Sequence, residues 1–142
     1  MGQRCVSSAK PGAIKVLIVE DEFLVALQLE DIVVGAGHSV LGIVADRASA
    51  GTVREAPQVA LVDVNLRDGP SGPEIARQLS RLYGTAIIYV TANPDQIDQP
   101  APTAIGVVQK PFSHTGILAA LNYAANDGAE AVLPPELELC FK

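Results

Sequence analysis

Four short apolar runs in this sequence end on side chains suited to handling phosphate: Glu20 and Asp21 after KVLIV, Asp63 after VALV, Thr91 after AIIYV and Lys110 after GVVQ. A hard divalent cation takes oxygen ligands and is commonly held by one or two carboxylates, which the three acids could supply. A carboxylate can also act as the nucleophile that carries a transferred group. A hydroxyl and an amine are the donors that a phosphoryl group, with charge spread over its equatorial oxygens, requires. Continuous β-branched runs read as buried parallel strands, and open α/β sheets bind ligands beyond the carboxyl ends of their strands. All four groups should therefore meet on one rim.

The elements that must position them follow from periodicity and punctuation. A first strand over 15–19 runs into the acids, and a helix over 22–36 stops at Gly37, where glycine tolerates the left-handed conformation. Val25, Leu29, Ile32, Val33 and Ala36 form its core stripe, which leaves Phe23, Leu24, Leu27 and Val34 partly outside it. A second strand covers 39–44, a short helix 48–55, and a third strand 59–64 carries Asp63. Residues 65–73 read as a flexible loop, with Pro73 opening a helix to Leu82. The fourth strand is 86–90. The following segment, NPDQIDQPAPTAIG, has three prolines, so a fourth helix should be a stub or absent. A fifth strand over 106–109 leads to Lys110 and a last helix over 113–126.

The chain has 142 residues, 49% of them hydrophobic and only 4% aromatic, so one three-layer core of Val, Ile, Leu and Ala is expected. A net charge of −6, with no Lys/Arg cluster, argues against nucleic-acid binding. Cys5 and Cys140 have neither metal-ligand spacing nor a disulfide framework, which fits a reducing cytoplasm. No signal peptide, myristoylation pattern or membrane span is evident, so no membrane partner is expected. His38 and His114 lack a metal or triad context and read as turn and helix-start residues.

The segments VLIVEDE (16–22), LVDVNL (61–66), YVTA (89–92) and QKPF (109–112) resemble, in order and setting, the receiver domain of two-component response regulators. The resemblance spans residues 14–126. It implies a flavodoxin-like, doubly wound five-stranded parallel sheet of order 2-1-3-4-5 with a reduced fourth helix. It divides the chain into a disordered leader (1–12), a receiver domain (13–127) and a C-terminal tail (128–142). It further implies Mg²⁺ on Asp21, Asp63 and the Asn65 backbone carbonyl, with Glu20 acting through water. Asp63 would be the phosphoacceptor, Thr91 and Lys110 the phosphoryl-binding pair, and Lys110–Pro111 a cis peptide. The donor would be a histidine kinase or histidine phosphotransfer protein, and the output an unidentified downstream protein, with a homodimer left open. On this reading the chain is a self-acting acceptor, able to lose its own phosphate, rather than an enzyme. Where many receivers carry an aromatic three residues before the lysine, this chain has Val107. With the reduced fourth helix, that departure implies signalling through another surface, and the chain weakly resembles the receiver portions of alphaproteobacterial general-stress regulators, which share the VEDE opening and a reduced fourth helix.

Two other readings compete: a pseudo-receiver that interacts without being phosphorylated, and a flavodoxin-like enzyme acting on nucleotides or phosphate esters. The absence of a GxGxxG or GxxxxGK[ST] loop after any strand disfavours the enzyme. Phe23, Leu24 and Leu27 should face a docking partner beside the acids, or else be covered by Leu137, Leu139 and Phe141 of the tail.

Overall fold

Runs of Val, Ile and Leu that are apolar on both faces become the central strands of a sheet covered on both sides. The computed structural model describes residues 13–126, 135 and 137–139. Strands β1 (Lys15–Val19), β2 (Ser39–Val44), β3 (Val59–Val62), β4 (Ala86–Thr91) and β5 (Ala104–Gln109) pair in parallel in the order 2-1-3-4-5. The leader 1–12 and both cysteines lie outside the described residues.

Alternation within the strands divides the core between two layers. Val16, Ile18, Val59, Leu61, Ile88, Val90 and Val108 pack with helices α1 (Phe23–Gly35) and α4 (His114–Ala125) on one face. Leu17, Val19, Ala60, Val62, Ile87 and Tyr89 pack against α3 (Gly72–Tyr83) on the other. The helix end predicted at Gly37 is present in kind, with φ 91°, and Gly84, not singled out from the sequence, closes α3 at φ 67°. No helix of the described residues is long and apolar enough to cross a membrane.

Four expectations need correction. The helix expected over 48–55 is a single turn, α2 (Arg47–Ala50), because Thr52 turns its backbone N–H and its hydroxyl onto the Ser49 carbonyl and closes the turn. β3 ends at Val62 rather than residue 64: the Val64 N–H turns to Asp63 Oδ1 at 2.7 Å and its carbonyl takes the Gly72 N–H at 3.0 Å. The loop after Asp63 is tied down: the Arg67 N–H reaches the Ala45 carbonyl at 3.0 Å, and the Asp68 carboxylate takes the Ser71 hydroxyl at 2.5 Å and the Arg47 N–H at 3.2 Å. Lastly, the tail supplies a sixth strand, β6 (Leu137–Leu139), antiparallel on β5, and Leu137 is buried. The fourth-helix expectation, by contrast, meets a lone 3-10 turn at Pro94–Gln96.

Gly72 shows how closely α3 abuts the end of β3. A Cβ there would lie 1.8 Å from the Asp63 carbonyl oxygen, which no side chain can occupy. Gly72→Ala should cost about 1–3 kcal/mol by overpacking and displace Asp63 from its neighbours. Urea denaturation would read the first effect and a Mg²⁺ titration the second; a titration curve identical to wild type would show that Asp63 had not moved.

Candidate functional site

The rim at the carboxyl ends of β1, β3, β4 and β5 is built by backbone pairing before any side chain is considered. The N–H of Glu20 is bound by the Val44 carbonyl, that of Asp63 by Val19, and that of Lys110 by Thr91, each at 2.9 Å. These ladder bonds fix the three chain exits side by side. Glu20 is 2% exposed and Asp63 8%, while Asp21 is half-buried.

Lys110 bridges the acids. Its Nζ stands 2.9 Å from both Glu20 Oε1 and Asp63 Oδ2, and 3.6 Å from Glu22 Oε1. Carboxylate oxygens of Glu20, Asp21 and Asp63 lie within 4.8 Å of one another. Three carboxylates thus face one close ammonium, a surplus of negative charge that a divalent cation would balance. Hard oxygen donors at this spacing are the chemistry Mg²⁺ takes.

The electrostatics reflect that crowding. Burial pushes the Glu20 carboxyl above its usual range; its hydrogen bonds to Lys110 and the Glu22 N–H pull down, and the charge of Asp63 pushes up again. Burial alone would lower Lys110, but its hydrogen bonds to Asp63 and Glu20 outweigh burial and hold it above its ordinary value. The amine is therefore firmly charged.

Of the predicted site residues, the fold brings Glu20, Asp21, Asp63 and Lys110 into one cluster. Thr91 is the last residue of the neighbouring strand β4, fully buried, with its hydroxyl accepting the Asn93 N–H at 3.0 Å. Asn65 lies on the loop after Asp63 and donates its side-chain amide to Gln96 Oε1 at 2.9 Å, a clasp to the 3-10 turn. The Lys110–Pro111 bond is cis. His38 accepts the Ile14 N–H on Nδ1 at 3.1 Å, as a turn residue would, and His114 opens α4.

Sequence reasoning missed three participants. Glu22 approaches Lys110 because it is the residue before α1, yet nothing in an EDE run says which acids turn inward. Gln96 is met only through the fold of the proline-rich segment. Tyr89 lies beside Val107 in the β4–β5 register, fully buried, and its hydroxyl accepts the Ala101 N–H at 3.0 Å. The aromatic bulk missing at Val107 is thus present one strand away.

A sheet of this order with acids and a lysine on its carboxyl rim defines a receiver-type α/β domain. The chain is 32% identical to the receiver domain of the response regulator PhyR of Erythrobacter litoralis, with a TM-score of 0.71, over 87% of this chain and 97% of that one. On that likeness it belongs to the response regulator receiver family. It is also 32% identical over 118 residues to the phyllosphere-induced regulator PhyR of Methylorubrum extorquens, matching 79% of this chain and 43% of that protein. The anti-anti-sigma factor PhyR of Bartonella quintana is 30% identical with a TM-score of 0.69, over 88% of this chain and 52% of that one. The chain therefore spans about half the length of these full regulators. No protein-family model matches it.

Proposed function

We propose that this chain is a phosphoacceptor switch in which Asp63 accepts a phosphoryl group from a phosphohistidine and signals by protein contact. The observation that supports it best is the cluster of Glu20, Asp21 and Asp63 around the ammonium of Lys110, the one close cation among the described residues. A fixed interaction module would gain nothing from carboxylates left in electrostatic surplus beside an exposed rim.

In the transfer, an Asp63 carboxylate oxygen forms a bond to phosphorus as the bond from phosphorus to the histidine nitrogen breaks. The leaving imidazole keeps the bonding pair and is protonated from solvent. Lys110 then pairs with a phosphoryl oxygen and Thr91 donates its hydroxyl to another. Glu20, Asp21 and Asp63 would hold Mg²⁺, which supplies charge neutralisation for the incoming phosphoryl oxygens. Incubation with acetyl phosphate and Mg²⁺ should add one phosphate, and chelation of the metal should prevent it. Intact-mass spectrometry showing no gain from this donor or from a cognate kinase would reject the reading.

The donor's seat is proposed on the start of α1. Phe23 and Leu24 are 70% and 75% exposed beside the acids, whereas Leu27 is half-buried and leaves the patch. Leu137 does not cover this patch, since its side chain joins the core cluster with Ile117 and Leu121, while the Leu139 side chain and Phe141 lie outside the described residues. An apolar patch flanked by acids suits a helical phosphodonor with apolar and basic groups. Leu24→Asp should slow transfer from a histidine kinase or phosphotransfer protein by on the order of tenfold or more, while phosphorylation by acetyl phosphate stays unchanged. Equal loss with both donors would mean damage to the site rather than to docking. For output, kinship with an anti-anti-sigma factor supports a protein partner in a stress-type regulatory system, with the cytoplasm as its compartment.

A further inference from the structure

A helix of one turn cannot cover what a longer one would, and α2 leaves a groove of about 400 Å³ between the segment 50–53 and α3. Ile75 and Leu79, both buried, form its base, and Val53, Gln78, Leu82 and Tyr83 stand along its walls. Residues 75, 78, 79 and 82 recur at helical spacing, so a whole stripe of α3 faces this groove. At one end Arg47 Nε donates to Glu74 Oε1 at 2.7 Å and ties α2 to α3. The other end is open among the described residues: Leu82 is 63% exposed and Tyr83 40%. A second depression, where Ile43 of the β2 edge faces the segment 52–55, shares Val53 with the first. The apolar surface thus continues from α3 toward β2.

The charges around the groove say what fits it. Every carboxylate within residues 46–81 already has a basic partner: Asp46 has Arg67, Glu55 has Lys15, Asp63 has Lys110, and Asp68 and Glu74 share Arg47. Arg54 and Arg81 are exposed and have no ion pair among the described residues. Arg54 adjoins Val53 on one wall and Arg81 adjoins Leu82 on the other, so two guanidinium groups without carboxylates bracket the apolar strip. This is a local positive surplus on a chain whose net charge is −6. A long polyanion or an anionic membrane would meet the repulsion of the whole molecule, whereas a short segment meets only the patch.

We infer that the α2–α3 groove is a docking site for an acidic amphipathic segment of a partner protein. Its apolar side chains would pack on Ile75, Leu79 and Leu82, and its carboxylates would pair with Arg54 and Arg81. Apolar contact in a preformed groove supplies the affinity, and the rim charges select the partner. The α1 patch beside the acids has the opposite character, apolar side chains flanked by carboxylates, so the two surfaces take different partners. This inference does not rest on phosphoryl transfer and would survive its failure.

Selection of a displayed library of random peptides on the wild-type chain tests it. Enrichment of sequences that combine large apolar residues with Asp and Glu is expected, and a fluorescently labelled copy of the commonest one should bind by anisotropy. Arg54→Glu together with Arg81→Glu should weaken that peptide on the order of tenfold or more, as should Leu82→Asp alone. Melting temperatures should stay near wild type, since the three side chains are exposed. Val34→Asp, an equally exposed change on α1, should bind the peptide as wild type does. Enrichment of basic sequences, or of none, would overturn the inference, and so would acidic binders indifferent to the substitutions at 54, 81 and 82. Two further results would assign the groove to another occupant and overturn it as well: preferential binding to anionic lipid vesicles, or self-association of the chain that Arg54→Glu with Arg81→Glu abolishes.

Discussion

Asp63→Asn is expected to take up no phosphate under conditions where the wild-type chain gains one, a loss on the order of 10³-fold or more, as for removal of a nucleophile. The substitution keeps the shape and an oxygen acceptor, so the Val64 N–H retains a partner on residue 63. The amide cannot form the acyl phosphate, and it withdraws one of the three carboxylate charges on which the proposed metal would depend. Lys110 would still be held by Glu20 at 2.9 Å. Fold loss is therefore not expected, and near-unchanged thermal melting beside absent phosphorylation is the full prediction. Intact-mass spectrometry of both proteins with acetyl phosphate and Mg²⁺ checks it. A mutant that still gained one phosphate would move the acceptor elsewhere and undo the reading of the site.

What was readable in the sequence was what local pattern controls. β1, β2 and β4 fall where their β-branched runs lie, within a residue at each end, because buried parallel strands are written as continuous apolar stretches. Glu20, Asp21, Asp63 and Lys110 could be placed together because each lies within two residues of a strand's carboxyl end, and parallel strands end on one rim. The strand β6 was not readable. Three residues of alternating pattern carry little signal, and their pairing with β5 rests on an edge that only the assembled sheet creates. The same holds for the Asn65–Gln96 clasp and for Tyr89 beside Val107, contacts between segments whose approach no local pattern specifies. The short α2 differs from the expected 48–55 because Gly51, Thr52 and Val53 are poor helix formers and the Thr52 hydroxyl closes the turn on the Ser49 carbonyl.

Lys110→Ala separates the two duties of this rim, holding the acids together and holding phosphate. Without metal, the mutant leaves Glu20 and Asp63 buried with their common counter-ion removed; the lysine side chain is 14% exposed and those of its partners 1% and 11%. Removing one member of a buried pair costs about 3–5 kcal/mol, and somewhat less, roughly 2–4, where Asp21 keeps the site partly open to water. For a domain of this size that is a fall in melting temperature of roughly 10 °C. The lysine titrates above its ordinary 10.5 in the folded chain, so its stabilisation is complete below that pH and is lost as pH rises through the folded value. The gap between wild type and mutant should accordingly be wide at neutral pH and close only in strong alkali. Magnesium reverses the order of the effects. With a competing positive charge gone from an acidic pocket, Mg²⁺ should bind somewhat more tightly, by about three- to tenfold, and should raise the mutant's melting temperature more than the wild type's. Phosphate, by contrast, loses its anchoring cation, and uptake from acetyl phosphate should fall. Calorimetric Mg²⁺ titration with melting curves in chelator and in metal distinguishes these effects. Markedly weaker metal binding in Lys110→Ala would mean that the amine organises the carboxylates for the cation instead of competing with it.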